Sequence, residues 1–240
     1  MVAARLSDVS PDDKATRVTY GLLNLTHRDG HETPRPLEPG KRYRIGLRLN
    51  GIAQKFPRGH RLRLSLSTSY WPLAWPPPKP VRLTVYAGSS TITLPIRPPR
   101  DSDNGLRPFP KPEGAEPLAV TLLRPREEEW RVIHDLRRDI SKLEVLLDTG
   151  TTRYNDIGLE ISSRTRETYT YRADQYDSLA GETRWERRFS RGDWEVRTVT
   201  RTLLTANEDS FQIRADLDAY EGPSRIYSRS WHSVIPRRLL

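Results

Sequence analysis

Hydrophobic and polar positions alternate with a period of two along much of the chain. Tyr43, Ile45, Leu47 and Leu49 face one way in residues 42–50, with Arg42, Arg44 and Arg48 opposite. Leu62, Leu64 and Leu66 alternate with Arg61, Arg63, Ser65 and Ser67, and Val81, Leu83, Val85 and Ile92, Leu94, Ile96 repeat the pattern. Such alternation puts successive side chains on opposite faces of a sheet. Residues 18–25 add a strand of mixed polarity. Pro and Gly turns separate these short strands, which predicts a sandwich or jelly roll.

Longer runs follow. Phe211, Ile213, Ala215, Leu217 and Ala219 alternate with Gln212, Arg214, Asp216 and Asp218. Trp194, Val196 and Leu204 stand against Glu195, Arg197 and Arg201. Turns at residues 190–193 and 221–224 divide the pattern. An antiparallel meander is expected over roughly 158–169, 181–190, 194–206, 211–220 and 225–235, preceded by a hairpin at 130–147. Glu127–Arg131 is the one place where a short helix is expected. The fold class is all-β: a jelly-roll, galactose-binding-like sandwich and then an antiparallel β-meander extension.

Composition marks a boundary between the two. Residues 1–114 hold 19 Lys and Arg against 9 Asp and Glu, whereas residues 115–240 hold 21 against 22. Of the 20 prolines, 17 lie at or before Pro117. The predicted organisation is a sandwich at 1–98, a stiff proline-rich connector at 99–117 and a sheet at 118–240.

The net charge of +9 comes mostly from arginine, 34 of the 40 basic residues. These arginines sit at alternating positions beside carboxylates, as in residues 182–188, which describes a solvated sheet face with cross-strand ion pairs. No nucleic-acid-reading motif accompanies the charge, so no nucleic-acid partner is expected. No apolar run is long enough to span a bilayer, and no secretion signal is apparent at the N-terminus. Cysteine is absent, which excludes disulfides and thiol chemistry and agrees with a cytoplasmic location.

The search for catalysis returns nothing: there is no Gly-x-Ser-x-Gly elbow and no Gly-rich phosphate loop. No catalytic residue, cofactor or metal site is assigned. The cluster His27-Arg-Asp-Gly-His31-Glu32 has two histidines four apart, but Asn24, Gly30 and Pro34 place it in a loop. Its side chains are expected to bond their own backbone and a neighbouring domain. Residues 70–80, Tyr-Trp-Pro-Leu-Ala-Trp-Pro-Pro-Pro-Lys-Pro, form the most unusual segment. Its prolines keep it out of a sheet interior, so Tyr70, Trp71, Leu73 and Trp75 are carried over the surface or across one end of the sandwich. Tyr70, Trp71, Leu73, Trp75, His27 and His31 are therefore the candidate domain-contact or pocket-lining residues.

Several phrases occur in a telling order: residues 4–12 (ARLSDVSPD), 18–29 (VTYGLLNLTHRD), 37–40 (LEPG) and 56–72 (FPRGHRLRLSLSTSYWP). Together they resemble the C-terminal non-catalytic domain of X-Pro dipeptidyl-peptidase-like serine hydrolases, the CocE/NonD family that includes cocaine esterase and the α-amino-acid ester hydrolases. The resemblance covers about residues 3–98. The later part, with Arg191-Gly-Asp-Trp194 and Ile235-Pro-Arg-Arg238, looks like the extension of a bacterial subgroup. The resemblance implies an accessory domain, inactive alone, whose partner is an α/β-hydrolase domain carrying the Ser-Asp-His triad and whose surface helps wall the substrate pocket. None of the triad positions exists here. The alternative is a free-standing β-sandwich module that binds carbohydrate or another ligand. An orphaned interface favours self-association, so a homo-oligomer is the further partner considered.

Overall fold

A computed structural model describes residues 1–239. Nearly all regular structure is β, in two separate antiparallel sheets. The first has three strands, β1 (Val2–Val9), β2 (Ala15–Leu23) and β3 (Arg61–Ser67), in the order β2-β1-β3. β1 lies at the centre and holds most of the sequestered apolar side chains: Val2, Ala3, Ala4, Leu6 and Val9.

The second sheet is the expected meander. Its strands are β4 (Val120–Arg124), β5 (Glu127–Asp135), β6 (Ile140–Tyr154), β7 (Leu159–Arg172), β8 (Gln175–Arg191), β9 (Trp194–Ala206), β10 (Ser210–Glu221) and β11 (Ser224–Pro236). They run in the order β11-β10-β9-β8-β7-β6, and β4 and β5 both pair with β6. Two-residue loops at Ala173-Asp174, Gly192-Asp193 and Gly222-Pro223 reverse the chain. Each loop keeps adjacent strands in register, so the alternation of the sequence becomes two chemically distinct faces.

Glu127–Arg131 is strand, not helix. It is the first half of β5, paired residue for residue with Val145–Asp148 and Glu144 of β6. The tertiary ladder overrides local helix propensity. The first sheet also departs from expectation. Residues 42–50, 81–85 and 92–96 form no strands, and the first sheet has three strands in place of the expected jelly roll. Alternation makes a strand only where an edge is available for pairing. Leu47–Asn50 does lie along β2: the Asn50 N–H donates to the Tyr20 carbonyl at 2.9 Å and the Thr19 hydroxyl to the Asn50 carbonyl at 2.8 Å. A side chain at Gly21 would collide there, its Cβ 2.1 Å from the Arg48 carbonyl oxygen. The contact stops at that single backbone bond. Residues 81–119 lie largely in solvent, with the Phe109 side chain fully exposed.

Gly150 serves the second sheet at the β6 bulge. Its φ of +71° is left-handed, and a Cβ would stand 2.1 Å from the Arg124 carbonyl oxygen. Only glycine lets β4 and β6 meet at that point.

Only nine apolar side chains are fully sequestered among the described residues. The accessible surface is 18540 Å². A compact protein of 27.7 kDa exposes about 11,000 Å². Both sheets are single layers whose apolar faces are covered only in part, where a stable sheet ordinarily has a second layer against it. Among the described residues no helix is long and apolar enough to cross a membrane.

Candidate functional site: an aromatic joint and two open sheet faces

Residues 70–76 fold across one end of the second sheet. Trp71 meets Trp75 edge-to-face with ring centroids 4.8 Å apart. Trp71 also stands on Tyr169 of β7 at 5.9 Å, and Trp75 on Phe211 of β10 at 5.8 Å. T-shaped contacts of this kind add about 0.5–1.5 kcal/mol each beyond buried area. Gly181 of β8 leaves room for the Tyr169 ring, which an added Cβ would touch at 3.4 Å. Both indoles are half-buried against the chain's own second sheet, and Leu73 is left in solvent at 55% exposure.

Tyr70 points the other way, into the first sheet. Its ring packs edge-on against Tyr20 at 5.4 Å, its hydroxyl is bonded by Arg17, and the Arg5 guanidinium lies 5.2 Å from its centroid. The segment is thus a pin through both sheets.

Arg237 locks it. This residue follows β11 and is 8% exposed. Its guanidinium donates to the Pro76 carbonyl at 2.7 Å and the Asn207 carbonyl at 3.2 Å, and lies 4.7 Å from the centre of the Phe211 ring. Burial pulls its pKa below the usual arginine value. Lys79 pairs with Glu208 beside it. Sequence reasoning noted Ile235-Pro-Arg-Arg238 but gave Arg237 no role. Two adjacent arginines after a strand do not reveal which is buried.

His27 and His31 occupy a short 3-10 turn (Leu25–His27) and the loop after it, with their Nδ1 atoms 3.1 Å apart. One ring must donate and the other accept. Asn24 caps the turn by accepting from the Thr26 N–H at 3.3 Å, and its amide donates to the Leu239 carbonyl at 2.9 Å. The Thr26 hydroxyl donates to the same carbonyl at 2.6 Å. The histidine loop and the aromatic loop therefore both contact the C-terminal part of the chain, at different places. Among the described residues no group of three or more His, Asp or Glu side chains could hold a metal. The Asp8 carboxylate stands 2.8 Å from His60 Nδ1, which gives that ring a structural partner.

The two faces of the second sheet differ sharply. One carries the ion pairs: Arg201 and Arg184 on Glu182 at 2.6 and 2.5 Å, Arg153 on Glu160 at 2.5 Å, Arg124 on Asp148 at 2.7 Å and Lys142 on Glu144 at 2.8 Å. Asp148 is 3% exposed and also accepts from the Gly150 N–H. The Arg124 hydrogen bond holds its carboxyl below the usual carboxylate range, Arg201 does the same for Glu182, and Lys142 for Glu144. On the opposite face lie Trp130, Trp185, Trp194 and Trp231, with Phe189, Leu217, Thr200 and Thr202, as the strand registers require. Trp71 and Trp75 cover the end of that same face. On it Tyr169 donates its hydroxyl to Glu167 at 2.8 Å, and burial raises its pKa to about 12.

The open face of the first sheet is different again. Leu62, Leu64 and Leu66 of β3 remain half in water, beside the buried Leu6 and Ala4 of β1.

The part of the chain that bears this leucine face has relatives. Residues 1–103 match the X-Pro dipeptidyl-peptidase C-terminal non-catalytic domain. A stretch of 69 residues is 29% identical to cocaine esterase from Rhodococcus sp. (strain MB1 Bresler), which is 29% of this chain and 12% of that protein. No solved structure matches the chain. The match includes β1, β2, β3, the histidine loop and the aromatic loop. The second sheet lies outside it.

Proposed function

We propose that this chain is an accessory part of a serine hydrolase of the dipeptidyl-peptidase or acyl-ester type and packs on that enzyme's α/β-hydrolase domain. The observation that carries the reading is the open leucine face of a sheet lying within residues that match a non-catalytic hydrolase domain. Half-exposed leucines on a rigid sheet are the signature of a layer that fits another layer. In this reading the hydrolase domain supplies that layer, and Leu73, His27 and His31 lie at its margin, where they help wall the substrate pocket. The triad belongs to the partner, so the chain is inactive alone. A cysteine-free sequence suits a cytoplasmic parent enzyme.

The experiment is an assay of the purified chain on simple aryl esters and X-Pro amides. No turnover is expected. Turnover abolished by a serine-directed phosphonate that labels one serine of this chain would overturn the reading. The alternative of a free-standing carbohydrate-binding module draws on the exposed tryptophans; saturable binding to a panel of soluble polysaccharides would favour it.

A further inference from the structure

We propose that His27 and His31 form a two-histidine site for a borderline divalent cation such as zinc, nickel or copper. A histidine pair at i and i+4 shares an ion on a helix. This segment is a loop, yet its turn brings the two rings together. The Gly30 N–H donates to the His27 carbonyl at 3.1 Å, directly after the 3-10 turn Leu25–His27. Gly30 has a φ of +136°, which a residue with a side chain rarely adopts. The chain thereby doubles back and sets His31 beside His27.

The loop is fixed from several sides. The Arg35 N–H donates to the Thr26 carbonyl at 2.8 Å. The Arg28 guanidinium donates to the Leu25 and Arg35 carbonyls at 3.1 and 2.9 Å and lies over the Tyr43 ring at 4.6 Å. Asn24 and Thr26 are anchored on the Leu239 carbonyl. The ring positions are therefore set by the turn and need no ion to create them, which lowers the cost of binding one.

Those positions suit coordination. Two imidazoles bound to zinc at a tetrahedral angle put their ligating nitrogens about 3.3 Å apart and their ring centres about 5.3 Å apart. Here the Nδ1 atoms are 3.1 Å apart and the ring centres 5.2 Å apart. The Nε2 atom of His27 is buried without a hydrogen-bond partner, so Nδ1 is the atom that this ring can offer. In the metal-free pair one Nδ1 holds the shared proton. On binding, that proton moves to Nε2 of the same ring, and both Nδ1 lone pairs go to the ion. Neutral imidazoles suit zinc, nickel and copper, whereas magnesium and calcium ask for oxygen. Arg28, Asp29, Glu32 and Arg35 sum to zero, so the turn carries no net charge against a cation. Water fills the remaining positions. The buried Nε2–H of His27 lacks an acceptor, and such outer partners are worth about 10–100-fold in affinity. The site is accordingly a micromolar one.

Calorimetric titration of the full, tag-free chain with nickel chloride and with zinc chloride tests this. One ion per chain is expected, bound in the micromolar range, and copper sulfate displaces it. Magnesium chloride gives no binding heat. His27→Ala and His31→Ala each weaken binding at least tenfold. His31 is exposed, so its variant keeps the wild-type far-ultraviolet spectrum. His134→Ala, which removes a ring 3.2 Å from Asp139, leaves the affinity unchanged. In long-range nitrogen–proton spectra, zinc moves the Nδ1 signals of His27 and His31 and those of no other histidine. A chain that takes up none of the three ions at millimolar concentration overturns the proposal. So does an ion that stays bound in His31→Ala, or a zinc shift at Nε2 of these rings with Nδ1 still protonated.

Discussion

Replacing Arg237 by methionine is the most direct perturbation of the joint between the sheets. Methionine keeps an apolar stem of similar length and removes the guanidinium. Two hydrogen bonds from a charged donor are lost, to the Pro76 and Asn207 carbonyls, together with the contact over Phe211. Charged hydrogen bonds contribute roughly 1.5–3 kcal/mol each and a desolvated cation–π contact about 2 kcal/mol. Against this stands the cost of keeping a cation out of water with no carboxylate partner, several kcal/mol, which the substitution relieves. The balance leaves a net loss of about 2 kcal/mol. For a chain of this length that is a fall of about 4–8 °C in melting temperature. The loop should loosen as well: acrylamide quenching of tryptophan emission rises in the folded variant, because Trp71 and Trp75 lose their lock. Arg237→Lys should behave nearly as badly, since an ammonium cannot reach both carbonyls from one planar fork. A methionine variant that melts with the wild type and quenches identically would refute this account of the joint.

Acid should destabilise the second sheet. Asp148, Glu182 and Glu144 have folded pKa values below their unfolded ones, so their contribution is complete above the unfolded values of about 4 and is lost as pH falls through the folded ones; the melting temperature should be flat from pH 7 to about 5 and then drop, an unchanged value at pH 3 contradicting this. Asp148→Asn should cost about 2 kcal/mol at neutral pH, toward the low side for a broken pair because Arg124 is half in water, and should shrink the acid dependence measured by the same melts. Leu64→Ser should cost under about 1 kcal/mol in the isolated chain, since that side chain is 45% exposed; a loss above about 2 kcal/mol in urea titration would mean that the chain itself covers this face.

The second sheet was legible because its signal is long. Strands of 12 to 17 residues carry long alternating runs, and three of the four turns between them are two residues of Gly, Pro, Ala or Asp. The expected strands at 194–206 and 211–220 fall on β9 and β10 almost to the residue. Glu127–Arg131 was expected to form a short helix, whereas its partner strand lies in residues that follow it. In the first sheet, Val81–Val85 and Ile92–Ile96 carry the same alternation as β3, yet only β3 finds the free edge of β1. Pairing partners are a property of the whole chain. Trp71 and Trp75 were expected over the surface or across one end of the sandwich, but their seats on Tyr169 and Phe211 lie about a hundred residues away or more. Arg237, 161 residues from Pro76, left no local trace.

The two open faces are chemically unlike, and that difference bears on what each can join. The leucines of β3 offer apolar area without direction, suited to a partner held in place by other means, such as a domain of the same protein. The face built from β5 to β11 instead carries flat indoles, arginines lying on them and threonines between, with Arg229 and Glu128 at opposite edges and Arg187 and Glu167 between them. Area alone would let almost any apolar surface adhere there. The charges Arg229, Arg187, Glu167 and Glu128 restrict the choice, because a partner must avoid like-charge contact with each of them. The opposite face has less selectivity to offer: most of its arginines are already matched by carboxylates within the sheet, as Arg201 and Arg184 are by Glu182. The same alternation that builds the strands therefore sorts the chain's charges into one face that is satisfied and one that still discriminates.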